Sequence, residues 1–490
     1  MDGLTTVEVG SHGPERFASV LSGEQFSELR DGVRRAHEVF DGHVVWHVNS
    51  TARGGGVAEL LASLLPYARG AGVDARWGVI SGDQPFFAVT KRIHNRLHGA
   101  RGDGGPLGDE ERRIYESALE PSAAALRRTL DERDVVVLHD PQTAGLVPAV
   151  RETGAVVVWR CHVGLDTPNA NAREAWRFLR GWIQEADAWI FSRRQFVWED
   201  LDADRAHIIA PTIDAFSPKN QILEPVVVAS ILATSGLVDA PPDPEPGPVF
   251  ERQDGSRGHV THRVQLVEDR PLAPGDRYVL QVSRWDHLKD PLGVIDGFAE
   301  HVAPHTDAHL VYAGPEVTAV ADDPEGAGVL EEARERWRTM DPHARSRVHL
   351  ALLPMDDLEE NAAIVNALQR GASVAVQKSL AEGFGLTVAE AMWKGRPVVA
   401  SRIGGIQDQI DDAVNGVLLD DPSDPEAYGR AVLDLLENPD RAAEMGKAAA
   451  ERVRTRFLGS QSLLEYLGLL AEILRRRREG AGPREATRAS

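Results

Sequence analysis

Short, unbroken apolar runs rich in valine and isoleucine recur along this chain, spaced widely enough to leave room for a helix between them. In the first half they are His43–Val48, Ala75–Ile80, Asp134–His139, Ala155–His162, Ala188–Ser192 and His207–Ile209. In the second half they are Arg277–Ser283, Ala308–Ala313, Val348–Leu353, Ser373–Gln377, Pro397–Ser401 and Gly416–Leu419. Runs such as Val135-Val136-Val137-Leu138 and Val156-Val157-Val158 carry no polar alternation, so both faces of any strand they form must be covered. The spacers have helical periodicity instead. Val57 to Arg69 sets Leu60, Leu61, Leu64 and Leu65 on one face, and Pro291 to His301 and Leu358 to Gln369 repeat the i, i+3, i+4 pattern. Alternating strands and helices of this kind build parallel sheets with helices on both sides. The prediction is an α/β chain of two Rossmann-like, doubly wound domains.

Length agrees, since 490 residues exceed the roughly 250–300 that one core can serve. The sequence divides into an N-terminal domain over residues 1–214, with an additional helix at Ser22 to Phe40, and a C-terminal domain over 215–457. The leucine pattern from Gln461 to Arg478 predicts a helix within 460–478 that packs back on the first domain; its last four residues, Arg475 to Arg478, read as a solvated helix end. Residues 479–490 read as a disordered tail. Pro241 to Arg263, rich in proline, glycine and charge, reads as a loop.

Charge and cysteine narrow the function. With 75 acidic and 54 basic residues the net charge is −21, which argues against a nucleic acid or an anionic membrane as partner. A small anionic substrate stays open, because a few local cations can override the global field. Cys161 is the single cysteine, so no intrachain disulfide and no cysteine-based zinc cluster can form. The acidic stretch Met1 to Gly10 is unlike a signal peptide, and the apolar stretch Val226 to Val238 is too short and too interrupted to span a bilayer. The expectation is a soluble, cytoplasmic protein.

Three motifs follow strands. Asn49-Ser50-Thr51-Ala52-Arg53-Gly54-Gly55-Gly56 opens a helix and can bring backbone N–H groups close to an anion, though it lacks the GxGxxG spacing. Ser283-Arg284-Trp285-Asp286-His287-Leu288-Lys289-Asp290 sets two cations at a strand's C-terminal end; they suit a diphosphate, with a surface ion pair to Asp286 or Asp290 as the alternative. Lys378-Ser379-Leu380-Ala381-Glu382-Gly383-Phe384-Gly385-Leu386-Thr387-Val388-Ala389-Glu390 puts one carboxylate in a loop and another about two turns into the following helix. Amides at the start of that helix suit phosphate or sugar hydroxyls.

The Glu382-to-Glu390 spacing in its Glu-Gly-Phe-Gly-Leu context resembles retaining glycosyltransferases of family 4, which have the GT-B fold: two Rossmann-like domains facing each other across a cleft. The runs from His47 to Glu59, Arg160-Cys161-His162, Pro218-Lys219-Asn220 and Gln281 to Pro291 narrow the resemblance to trehalose glycosyltransferring synthases. That resemblance implies transfer of glucose from a nucleoside-diphosphate glucose to free glucose, giving α,α-trehalose. It implies Arg284, Lys289 and Glu382 as catalytic residues. Gly54, Gly55, Gly56, Arg284, Lys289, Gly383, Phe384, Gly385, Leu386, Thr387 and Glu390 would bind the donor. Asn49, Asp140, Gln142, Arg160 and His162, at strand ends in the first half, are the acceptor candidates. For Asp140 the alternative is a cap or turn residue, and for His162 a core histidine.

No metal site is expected: Asp202/Asp204 and Asp322-Asp323-Pro324 read as solvated turns, and GT-B enzymes use cationic side chains instead. No cofactor is required on this reading, with Mg²⁺ left open as a stimulant acting through the nucleotide. Partners are small molecules, and a homodimer is left open. The alternatives are a trehalose phosphorylase on the same fold, a related glucosyltransferase with another acceptor, and a catalytically silent sugar-nucleotide sensor.

Overall fold

The computed structural model describes residues 3–52, 56–241, 245–317 and 326–480. Gly54, Gly55, the Asp322-Asp323-Pro324 turn and residues 481–490 lie outside them. The chain divides into two units, one of Met1–Thr212 with Gly459–Ser490 and one of Ile213–Leu458.

In the first unit the strands are β1 (Leu4–Val7), β2 (Val44–Asn49), β3 (Asp74–Ile80), β4 (Val135–His139), β5 (Val156–Cys161), β6 (Ala188–Phe191) and β7 (Ala206–Ile208). They form one sheet in the order β1-β3-β2-β4-β5-β6-β7. All pairs are parallel except β1 with β3. The predicted cover over both faces is present, since Val135 to Leu138 and Val156 to Trp159 are almost wholly buried. The helix Gly23–Phe40 begins at Ser22, whose hydroxyl and Gln25 form a reciprocal cap. The closing helix Gly459–Gly480 packs on Gly23–Phe40 and on Gly56–Gly70. Its basic end is not simply solvated: Arg477 donates to the Gly154 carbonyl, and Arg478 lies 2.9 Å from the His43 ring.

In the second unit the strands are β8 (Val249–Glu251), β9 (Arg257–His259), β10 (Gln265–Val267), β11 (Tyr278–Val282), β12 (His309–Pro315), β13 (Val348–Leu353), β14 (Val374–Gln377), β15 (Val398–Ser401) and β16 (Val417–Leu419). The main sheet runs β10-β13-β12-β11-β14-β15-β16, parallel except for β10 against β13.

The two sheets are the expected parallel ones, each with one antiparallel edge strand added. One expectation needs correction. The segment Pro241 to Arg263 is not simply a loop: β8 and β9 pair as a hairpin. Phe250 and Val260 join the core beside β11 and the helix Leu358–Gly371. Arg252 pairs with Asp357 and Glu359, and the buried Glu360 carboxylate accepts the N–H groups of Thr261 and His262. The charge that suggested a loop therefore clamps this segment to the start of the helix Leu358–Gly371.

Strand order reverses between β2 and β4 in one unit and between β11 and β14 in the other. Side chains leaving the C-terminal ends of strands at such a switch point are where open α/β sheets bind ligands.

Each unit also contains a chain of buried histidines. In the second, Arg270 meets His309 Nε2 at 3.0 Å, His309 Nδ1 meets His349 Nε2 at 2.8 Å, and His349 Nδ1 meets Glu268 at 2.7 Å. Burial, with neighbouring His349, pushes His309 down to about 4. Such a group stays neutral when folded but takes up a proton when unfolded below about pH 6.5, so stability falls by about 1.4 kcal/mol per pH unit from there towards pH 4. The first unit's His47, held down to about 3 chiefly by burial, acts in the same direction. Asp140, raised to about 6 by burial, opposes them and offsets one of them. Urea midpoints should therefore fall between pH 7 and pH 5, and His309→Gln should flatten that dependence by about 1 kcal/mol per pH unit. Equal slopes for the two proteins would contradict the account.

Candidate active site

In the second unit the site is built by the loops after β11 and β14, and a buried glutamine joins them. Gln281, on β11 and fully buried, donates to the Lys289 carbonyl at 2.7 Å and accepts the Lys378 N–H at 3.1 Å. A second tie runs from the Leu380 N–H to the Leu288 carbonyl at 2.8 Å. Two ion pairs complete the join: Lys289 Nζ meets Glu382 at 2.6 Å, and buried Lys378 pairs with Asp290. Asp290 has left-handed backbone, φ 51°, and its carboxylate caps the helix Pro291–His301. The predicted Lys289 and Glu382 are thus brought together.

Arg284 projects outward. Its side chain is 60% exposed, 3.4 Å from Asp286, an arrangement too solvated to hold the guanidinium firmly. Beside it Trp285 is buried and donates to the Pro315 carbonyl, anchoring the loop.

Gly385 starts the helix Leu386–Trp393 with φ 81°, and no side chain caps that helix. The Thr387 hydroxyl turns inward to Gln377 at 2.8 Å. Phe384 is buried, lies 5.8 Å from Phe457 and gives its carbonyl to Gln409, so its ring shapes the loop from below. Gly383 accepts the Gly405 N–H at 2.9 Å. Within the helix Glu390 is buried. One of its oxygens lies 3.6 Å from Lys219, and the other has no hydrogen-bond partner among the described residues. A buried carboxylate oxygen without a donor is costly unless something else supplies one. Beneath it buried Lys394 donates to Asn220, Gln369 and the Glu390 carbonyl, and burial depresses its pKa.

In the first unit, Asn49 is buried and spans the turn after β2, donating to the Thr51 carbonyl and accepting from Trp77. Gly56 begins its helix with open space around it. Asp140 has φ 65°, and its carboxylate accepts the His162 N–H at 2.7 Å, tying the ends of β4 and β5 together. Gln142 is half-buried. His162 is also half-buried, and its Nε2 meets His139 Nδ1 at 3.1 Å. Arg160 is the candidate that the geometry removes from direct acceptor contact. It is fully buried, donating to the Tyr466 hydroxyl and to the Ile209 carbonyl, and so fastens β5 to the closing helix. Cys161 is buried too, and burial raises its thiol pKa, which leaves it unreactive.

Sequence reasoning gave no role to Gln281, Lys378 or Lys219, although the motifs contained them, and it offered Asp290 only as the partner of a surface ion pair. Nor did it single out Gly404. The two glycines Gly404-Gly405 after β15 were the available signal.

Residues 47–198 match the family described as the trehalose synthase N-terminal domain, and residues 265–452 match glycosyl transferases group 1. A trehalose synthase of Rubrobacter xylanophilus is 36% identical over 96% of this chain and 99% of its own length. The chain belongs to the trehalose synthase family of glycosyltransferases. A second relative, the trehalose synthase of Pyrococcus horikoshii, is 34% identical over 93% of this chain and 95% of its own. A trehalose phosphorylase of Pleurotus sajor-caju is more distant, at 26% identity over 76% of this chain and 50% of its own. Among solved structures, an α,α-trehalose-phosphate synthase (UDP-forming) from Burkholderia vietnamiensis superposes with a TM-score of 0.63 at 12% identity, covering 90% of this chain and 100% of that one. The two Rossmann-like units are those of the GT-B fold. Among the described residues, no helix is long and apolar enough to cross a membrane.

Gly404 supplies a test of the family site. With φ 46°, a Cβ there would stand 1.9 Å from the Glu382 carbonyl oxygen, so the Glu382 loop must move to admit it. Gly404→Ala should lower turnover about tenfold or more, since a 1 Å misplacement can cost far more than that. The control is Gly255→Ala, which has φ 82° but open space and bears only backbone strain. Equal activity in the two variants would show that the close approach is unimportant.

Proposed function

We propose that the protein transfers glucose from a nucleoside-diphosphate glucose to free glucose, with retention, to give α,α-trehalose and a nucleoside diphosphate. The observation that carries this reading is the buried Glu390 oxygen with no hydrogen-bond partner among the described residues. It is suited to a ribose hydroxyl, and a phosphorylase acting on inorganic phosphate has no ribose to offer it. Arg284 and Lys289 supply the positive charge that a departing diphosphate requires, and Glu382 would leave Lys289 for the hydroxyls of the donor glucose. Because the leaving phosphate gains charge as the glycosidic bond breaks, preorganised cations should be the largest catalytic contribution. The leaving phosphate itself accepts the proton of the attacking anomeric hydroxyl, on the same face of the sugar. Asp140, Gln142 and His162 are the proposed acceptor ligands in the first unit. No metal is required on this reading.

Incubation with ADP-, UDP- or GDP-glucose plus glucose should release a nucleoside diphosphate and yield a non-reducing disaccharide with a single α-anomeric NMR signal, since its two glucose units are equivalent. Turnover only with glucose 1-phosphate plus glucose would establish the phosphorylase instead.

Glu390→Gln should weaken nucleoside-diphosphate binding about tenfold, the equivalent of about 1.4 kcal/mol, in a calorimetric titration. Unchanged binding would remove Glu390 from the donor site.

Arg284→Ala should lower kcat by about 10²–10³ while the circular dichroism spectrum stays that of the wild type. Near-normal turnover would sink the assignment of Arg284.

A further inference from the structure

Three histidines from adjacent strands of the first sheet lie in one hydrogen-bonded row. His47 on β2 presents Nδ1 to His139 Nε2 at 3.0 Å, and His139 at the end of β4 presents Nδ1 to His162 Nε2 at 3.1 Å. The His139 and His162 rings are stacked, 5.4 Å apart with 15° between their planes. His47 and His139 are buried, whereas His162 is half-buried. The charged and titratable groups around them are Arg160, Asp140 and Tyr466. Burial opposes a charge on any of the three rings, and Arg160 acts in the same direction. All three are therefore neutral near pH 7.

A neutral imidazole has one donor nitrogen and one acceptor nitrogen. Both contacts join an Nδ1 to an Nε2. If His139 carries its proton on Nδ1, it donates to His162 and must accept from His47, so every ring is protonated on Nδ1. If it carries the proton on Nε2, every ring is protonated on Nε2. A mixed row breaks at least one buried hydrogen bond. The second unit's histidine row has no such choice, because Arg270 can only donate at one end and the Glu268 carboxylate accepts at the other. In the first unit the outer nitrogens, His47 Nε2 and His162 Nδ1, make no hydrogen bond among the described residues.

We propose that His47 and His139 are positioning residues that lock His162 into a tautomer shared by all three rings. The hydrogen-bonding character of His162 Nδ1 towards an acceptor hydroxyl is then set by the row as a whole. The effect on catalysis rests on the reading of His162 as an acceptor ligand. The shared tautomer does not.

The test is long-range ¹H–¹⁵N NMR of protein labelled at histidine nitrogen, with the ring signals assigned by through-bond correlation to the backbone. At pH 7 the three wild-type rings should show the same neutral tautomer; opposite tautomers, or a charged ring, would overturn the proposal even if no variant folds. His47→Phe removes the end of the row and should leave His162 in a mixture of tautomers. His47→Asn keeps a donor or acceptor near the place of Nδ1 and should restore one tautomer. In parallel, His47→Phe should raise the acceptor KM or lower kcat about tenfold with the donor KM unchanged, and His47→Asn should recover most of that loss. An unaltered His162 signal in His47→Phe would refute the coupling. If the wild type makes no trehalose, the functional reading fails, while the NMR result still decides the proposal.

Discussion

The buried Gln281 side chain is the contact on which the donor half of the site depends. Its amide holds the loop after β11 by one group and the loop after β14 by the other. A parallel sheet leaves its strand ends without a common register beyond the last ladder bond, and these two loops come from segments about a hundred residues apart in the sequence. An amide donor and an amide acceptor, both dry, fix their separation more firmly than a solvated contact would. Lys289 and Glu382 can then meet at 2.6 Å without either side chain having to search for the other.

The same geometry explains how an acidic protein can hold cations ready for an anion. Lys289 faces Glu382, Lys378 faces Asp290, Lys219 lies near Glu390 and Arg284 near Asp286. A carboxylate beside each ammonium offsets part of the cost of taking it out of water. On the proposed reading, a donor diphosphate competes with Glu382 for Lys289, and Glu382 is released towards the sugar. The net charge of −21 therefore decides little here. What matters is where the local cations stand, and Arg284 stands exposed, 3.4 Å from Asp286.

Much of this was legible in the sequence because strands buried on both faces are written as unbroken apolar runs. All twelve runs became strands, with ends displaced by a residue or two. The edge strands β1 and β10 escaped notice because one face of each is exposed; in β1, Thr5 and Thr6 alternate with nothing that marks a core. The hairpin β8–β9 was hidden by its short strands, by the prolines around it and by charge that serves to clamp it. In the site, glycines and paired carboxylates announce themselves by residue type. Asn49, Arg160 and Phe384 have side chains of the right type near the right strand ends, yet all three turn inward. Only three-dimensional packing decides which way such a side chain points, and no spacing rule contains that information.

The two histidine rows show why a buried polar chain can be either rigid support or a responsive element. Both use Nδ1-to-Nε2 contacts between rings on neighbouring parallel strands. In the second unit a guanidinium and a carboxylate terminate the row, so its proton order is dictated and it serves to attach β10 to β13. In the first unit the row ends at a half-buried ring, beside an Asp140 carboxylate that fixes the backbone of that ring and leaves its Nδ1 uncommitted. On the proposed reading the three rings share one proton order, and that order decides what His162 Nδ1 presents to an acceptor hydroxyl. The difference lies in the terminal groups, since the distances within the two rows are nearly the same.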